Sequence, residues 1–289
     1  MDKVNHFFIE IKENRSGFSI QSGKLQVVNA SQYKKEYQKQ HSIEDFMRLI
    51  QAAYSQCERK DGLIFIHGVW AYGRPLAYHL SQFERHIFQK PDSTIAFTLN
   101  IIWHTPPPSY AKSRKQCQRL AVEIAPVFWK LMDNLLKIKE LDANLHLLCH
   151  SMGNYFFENL MESKPDYNEK VFNQIIMAAA DVDVDFFSKQ LPLMQALTQR
   201  VILLNNRHDV LLGVSRYLNQ ARRLGNAPPQ YFAPFSPFVS ATEIGSVRDV
   251  RNLIALGGQH IYYNASAKVM AYLGGLLKGE NPDELLELK

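Results

Sequence analysis

Short, almost unbroken apolar runs recur along this chain, and they constrain its fold more than any other feature. Gly62-Leu63-Ile64-Phe65-Ile66, the stretch 94–103, Leu145-His146-Leu147-Leu148, the stretch 173–180 and the stretch 200–206 are of this kind. Each has the length of a strand covered on both faces, which reads as continuous apolar sequence and not as alternation. Helical periodicity fills the intervals: around 74–88, from Tyr110 to about Lys137 with a kink expected at Pro126, on to Ser163, near 184–198, near 210–223 and near 263–277. A further strand is expected near 246–252. Strands separated by helices predict an α/β fold, a mostly parallel central sheet with helices on both faces. Residues 6–12 and 16–28 alternate apolar and polar around turn residues, which predicts an antiparallel N-terminal start. A helix from Ser42 to Cys57 follows, capped at Ser42, with Phe46, Leu49, Ile50 and Ala53 on one face. We expect one domain over 1–289, with N-terminal strands in 1–40 and a lid or pocket loop in 226–245.

The candidate chemistry sits where one of these strands ends. Cys149-His150-Ser151-Met152-Gly153-Asn154 joins the run at 145–148 to a helical pattern. A serine on a sharp strand-to-helix turn has its hydroxyl exposed, and such a turn needs small residues two before and two after it. Serine is a weak nucleophile until an imidazole takes its proton, and a carboxylate must hold that imidazole in the right tautomer. The histidines after Ser151 are His208 and His260. His260 lies in a glycine-punctuated loop, Leu256-Gly257-Gly258-Gln259-His260. Asp209 follows the run at 200–206, next to His208, which we rank below His260. The reading is Ser151 as nucleophile, Asp209 as acid and His260 as base. Asp181, at the end of Ile175–Ala180, is the alternative acid. The plainer readings are that Ser151 and Asp209 only cap helices, and that His260 is a solvated loop histidine.

The loop after Gly62–Ile66 reads His67-Gly68-Val69-Trp70. Its backbone is the natural source of one oxyanion-hole donor, Val69 or Trp70, and Met152 after the serine is the other. His67 reads as a structural hydrogen-bonder. Tyr72, His104 beside the triproline 106–108, and Phe232 and Phe235 in the aromatic stretch 231–238 are the candidate substrate-pocket residues.

These residues together resemble a known group. The chain is similar to α/β-hydrolases, above all to a bacterial family catalogued as domain of unknown function number nine hundred. The likeness rests on Phe65-Ile66-His67-Gly68, Trp103, His150-Ser151-Met152-Gly153-Asn154, Ala179-Ala180-Asp181-Val182-Asp183, Asn206 to Leu211, Arg222-Arg223-Leu224-Gly225 and Gly258-Gln259-His260. It covers roughly 40–275. It implies the α/β-hydrolase fold, a serine triad and ester-type substrates. Three positions depart from the family pattern: Cys149 stands for a small alanine or glycine, Ala180 for proline, and Gln259 is inserted before His260. The expected activity is a serine esterase or lipase-like hydrolase working through an acyl-enzyme. The alternative is a hydrolase-fold protein that binds or scaffolds without catalysis.

Composition narrows the partners. With 46% apolar and 21% charged residues, a full core can form. A net charge of +5 invites a nucleic-acid reading, but the cations fall in short clusters such as Lys34-Lys35 and Arg222-Arg223 and not in one stripe. No apolar run reaches the ~18 residues of a membrane span. No export signal is read at the start, and Cys57, Cys117 and Cys149 are neither paired nor spaced as metal ligands, so a cytoplasmic location is expected. No cofactor or metal is expected. The expected partner is a small-molecule ester, one with an apolar acyl chain if the aromatic stretch forms a pocket wall.

Overall fold

The computed structural model describes residues 4–15, 17–37, 43–105, 109–139, 143–167, 169–229, 238–251 and 259–281. The strands of these residues form one sheet: β1 (Asn5–Asn14), β2 (Gly17–Asn29), β3 (Gln32–Tyr37), β4 (Asp61–Ile66), β5 (Ile95–Trp103), β6 (Leu145–His150), β7 (Phe172–Ala178), β8 (Thr198–Asn205) and β9 (Val239–Glu243). Their spatial order is β3-β2-β1-β5-β4-β6-β7-β8-β9. From β1 to β9 every pairing is parallel, and only β2 runs against the rest. This is an α/β-hydrolase type of sheet with an antiparallel edge.

The helices are α1 (Ile43–Ser55), α2 (Arg74–Phe83), α3 (Tyr110–Lys139), α4 (Met152–Met161), α5 (Val184–Leu197), α6 (Val210–Asn219), α7 (Arg248–Arg251), α8 (Tyr262–Ala265) and α9 (Ala267–Leu277). They cover both faces of the sheet. Successive strand residues point to opposite faces, so Ile64 and Ile66 of β4 join a cluster with Phe46 of α1, Phe128 of α3 and Phe156 of α4. Leu63 and Phe65 enter the opposite cluster with Leu80 of α2 and Leu273 of α9. Every residue of β4, β5 and β6 is buried, which is why those strands read as almost unbroken apolar runs.

Several elements differ from the sequence reading. The strand expected near 246–252 lies earlier, as β9, and is followed by a 3-10 turn and α7. Ile244, Val247 and Val250 recur every three residues, which is helical spacing, and Glu243 caps the turn by accepting from Gly245 N–H. The helix expected over 74–88 is α2 followed by a π turn, Glu84–Phe88. The final helix is split into α8 and α9 at Ser266, whose hydroxyl caps α9 through Val269 N–H. The helix at 210–223 stops at Asn219 because Gln220 is left-handed, with φ 50°. The helix α3 runs unbroken through Pro126. The carbonyl freed by that proline belongs to Val122, an exposed residue that water can reach.

Candidate active site

Ser151 stands between β6 and α4 with φ 54° and ψ −126°. A non-glycine residue at positive φ is strained, on the order of 1–3 kcal/mol, and persists only where its surroundings fix it. Here they do. Ser151 N–H donates to Ala178 O at 3.0 Å, and its own carbonyl accepts Asp181 N–H at 3.2 Å and Asn154 Nδ2 at 3.0 Å. The turn is thereby bolted to the end of β7. Gly153 cannot be larger, because a Cβ there would lie 2.4 Å from Ile66 O and 2.6 Å from His67 O. Cys149 is fully buried and fits its place between β4 and β7. Burial pushes its thiol well above the usual range, so it offers no competing thiolate.

Asp209 serves two partners. Its Oδ1 caps α6 by accepting Leu212 N–H at 3.0 Å, and its Oδ2 accepts His260 Nδ1–H at 2.6 Å. Both groups are buried, Asp209 at 2% and His260 at 8% exposure. The cap expected of Asp209 and the pairing expected of it therefore coexist. Asp181 is occupied elsewhere. It accepts from Tyr110 Oη at 2.7 Å and from Ser215 Oγ, and lies 3.9 Å from Arg223 Nη1. Exposed His208 turns to Arg207, whose Nε donates to its Nε2 at 3.2 Å.

Ser151 and His260 meet through His150. Burial drives His150 well below the ordinary histidine range, leaving it neutral. Its Nε2 lies 3.2 Å from His260 O, and a carbonyl only accepts, so Nε2 carries the proton. The two rings are 4.9 Å apart between centroids. Among the described residues, no hydrogen bond joins Ser151 Oγ to His260 Nε2. Such bonds are often long before substrate arrives.

The loop after β4 packs directly on this turn: a Cβ at Gly68 would come within 3.0 Å of Ser151 Cβ and 2.9 Å of His150 Nδ1. Gly68 O accepts His67 Nδ1–H at 2.7 Å and Ala71 N–H at 3.2 Å. The peptide is planar, so Val69 N–H points the opposite way. His67 Nε2 accepts Trp103 N–H at 3.2 Å and its ring stacks on Trp103 at 5.4 Å. Burial holds His67 down at about 4, so it stays a neutral strut. Trp70 adopts φ 55° and its indole donates to Ser113 Oγ at 3.2 Å. Met152 N–H opens α4 and has no partner among the described residues.

Tyr72 and His104 stand together, their rings 4.2 Å apart, with Tyr72 Oη donating to Thr105 O at 3.2 Å. The N-terminal strands hold them. Glu10 of β1, 1% exposed, lies 2.6 Å from His104 Nε2 and 2.6 Å from Lys35 Nζ. Burial alone would raise this carboxyl, but His104 and Lys35 outweigh it and hold it at about 2. Tyr33 Oη accepts Gly73 N–H at 3.3 Å. Phe232, Phe235 and the triproline lie outside the described residues.

Sequence reasoning missed Glu10, and it named Asn206 within the family likeness without giving it a role. Asn206 is fully buried and its Nδ2 donates to Gln259 O at 2.8 Å, tying the Asp209 loop to the His260 loop. An asparagine just past an apolar strand was the available signal. Among the described residues, no group of three His, Cys, Asp or Glu is placed to hold a metal ion.

The model of a family described as alpha/beta hydrolase of unknown function (DUF900) matches residues 57–275. The chain belongs to this family. Among solved structures it is similar to a fungal esterase from Rhizomucor miehei, at 12% identity and TM-score 0.40, over 99% of this chain and 84% of that one. It is also similar to an esterase of Pyrobaculum calidifontis, at 9% identity and TM-score 0.40, over 96% and 86%. Likenesses this distant carry no argument about activity. No curated protein matches the chain significantly.

Proposed function

We propose that this hydrolase-family chain cleaves carboxylic esters with Ser151 as nucleophile, His260 as base and acid, and Asp209 as its orienting carboxylate. The observation that carries the reading is the 2.6 Å bond from His260 Nδ1 to Asp209 Oδ2, on a loop that His150 ties to the strained serine turn. With Nδ1–H given to Asp209, Nε2 is left to accept the Ser151 proton as Oγ attacks the ester carbonyl. The C=O bond opens to an oxyanion, which the N–H groups of Met152 and Val69 receive, with Trp70 N–H as the alternative donor. The imidazolium returns its proton to the departing alkoxide, leaving an acyl-serine and an alcohol. Water, deprotonated by the same Nε2, then releases the carboxylic acid and restores Ser151. In this reading Tyr72 and His104, whose rings stand 4.2 Å apart, wall the approach. Thioesters and amides would enter the same cycle, so the leaving group is the finer choice that a substrate panel makes.

A second reading, a hydrolase-fold binding protein without turnover, is favoured by the missing hydrogen bond between Ser151 Oγ and His260 Nε2. Intact-mass labelling with a fluorophosphonate separates the two. The proposal expects one adduct on the wild type and none on Ser151→Ala or His260→Ala. An unlabelled, well-folded wild type would refute it and leave the binding reading.

A further inference from the structure

Helix α6 begins at Asp209 and turns an apolar face outward. Val210 is 61% exposed, Val214 51%, Leu218 55% and Tyr217 83%, while its buried residues are Leu212 and Ser215. Positions 210, 211, 214, 217 and 218 share one side of a helix. A water-facing surface helix would place charged or polar groups there. The surroundings are cationic. From Val210 to Thr242 the sequence has no Asp or Glu, and Arg216 and Arg222 are exposed. The first turns of α3 abut α6 through Tyr110 Oη and Ser215 Oγ at 2.8 Å and add exposed Lys112 and Lys115. The adjoining start of α5 carries an exposed acid, Asp185, and an exposed Phe186. Among the described residues, four exposed cations therefore stand against exposed Asp185, while half-buried Asp183 is paired with buried Arg223.

Size and charge select the occupant. A ten-residue helix is about 15 Å long and about 10 Å wide, so one face covers roughly 150 Å². A specific protein interface, a second copy included, needs about 800 Å² on each side. A bilayer sets no such threshold: an apolar stripe sinks between headgroups, and flanking Arg and Lys meet anionic lipid.

We propose that α6 is an interfacial helix that seats the rim of the Ser151 site on an anionic lipid surface. The substrate class that follows is an ester carried in the lipid phase; this half rests on the serine-hydrolase reading, whereas the docking does not. Insertion along Val210, Val214, Tyr217 and Leu218 would bring the bilayer to the first turn after Asp209.

Flotation with phosphatidylcholine vesicles, with and without phosphatidylserine, tests this on the full chain. The wild type is expected to float with the phosphatidylserine vesicles and to be released by high salt. Val214→Asp combined with Leu218→Asp should weaken binding about tenfold or more, while hydrolysis of a short soluble ester and the thermal midpoint stay unchanged. Failure of the wild type to bind anionic vesicles overturns the proposal. So does an oligomer in light scattering that the double variant disperses without any vesicle binding, which would make a second copy the occupant. Vesicle binding without fluorophosphonate labelling would uphold the docking and refute the hydrolase reading.

Discussion

Asp209 performs two tasks, and one amide substitution separates them. In Asp209→Asn only one of the two carboxylate positions keeps an acceptor. Asn caps helices as well as Asp does, so the amide oxygen stays on Leu212 N–H and the NH2 turns toward His260. Two donors then face each other unless the ring moves its proton from Nδ1 to Nε2. With Nε2 protonated, the imidazole cannot take the Ser151 proton. Loss of the right tautomer in a serine triad costs ~10⁴ in turnover, about 5.4 kcal/mol of activation energy. Stability changes much less. The cap is kept, and exchanging a charge-assisted bond for a neutral one costs about 1–2 kcal/mol. The assay pairs steady-state hydrolysis of a nitrophenyl ester with thermal unfolding. Asp181→Asn is the control, because that carboxylate serves Tyr110, Ser215 and Arg223. It should lose stability and keep turnover within about tenfold of wild type. An Asp209→Asn enzyme within tenfold of wild type, or an Asp181→Asn enzyme that is the more crippled, would refute the reasoning.

Two further outcomes follow from buried histidines. His150→Phe keeps the ring but removes the donor to His260 O, so kcat/KM should fall about tenfold, with His150→Gln recovering most of it; unchanged kinetics would free the His260 loop from His150. Burial holds His67 at about 4 and His79 at about 3, against an unfolded value near 6.5. Below pH ~6.5 the unfolded chain binds protons that the folded chain refuses, so stability drops as pH falls, on the order of 3 kcal/mol from His67 by pH ~4. Glu10, depressed to about 2, continues the loss below its ordinary range. Urea midpoints measured from pH ~7 to ~4 should decline, and His79→Phe should flatten the slope; an unaltered slope would show that His79 is not the group refusing protons.

The centre of the sheet was legible because β4, β5, β6, β7 and β8 carry their burial in their composition. The serine turn was legible because its glycine and its strand–helix setting are local. Other features depend on partners far away in sequence. Strand β3, Gln32-Tyr33-Lys34-Lys35-Glu36-Tyr37, carries too much charge to read as a strand. It is held by its pairing with β2 and by Lys35 on Glu10. The polar cluster around His104 joins residues 94 positions apart. Asp209 and Asp181 both follow apolar strands, so the sequence alone leaves the two open, and only their distant side-chain partners, His260 for one and Tyr110 and Ser215 for the other, tell them apart.

The parallel pairing of β1 with β5 has a consequence beyond the site. The family match begins at residue 57, after β1, β2 and β3 have been made. Phe97 to Trp103 of β5 are registered against Asn5 to Ile11 of β1, and β5 is buried along its whole length. Without β1, those backbone donors and acceptors would form a long, flat, apolar border open to any passing chain, the usual template for aggregation. The N-terminal meander closes that border, and the sheet then ends on β3, whose lysines and glutamate make it a poor template for another strand.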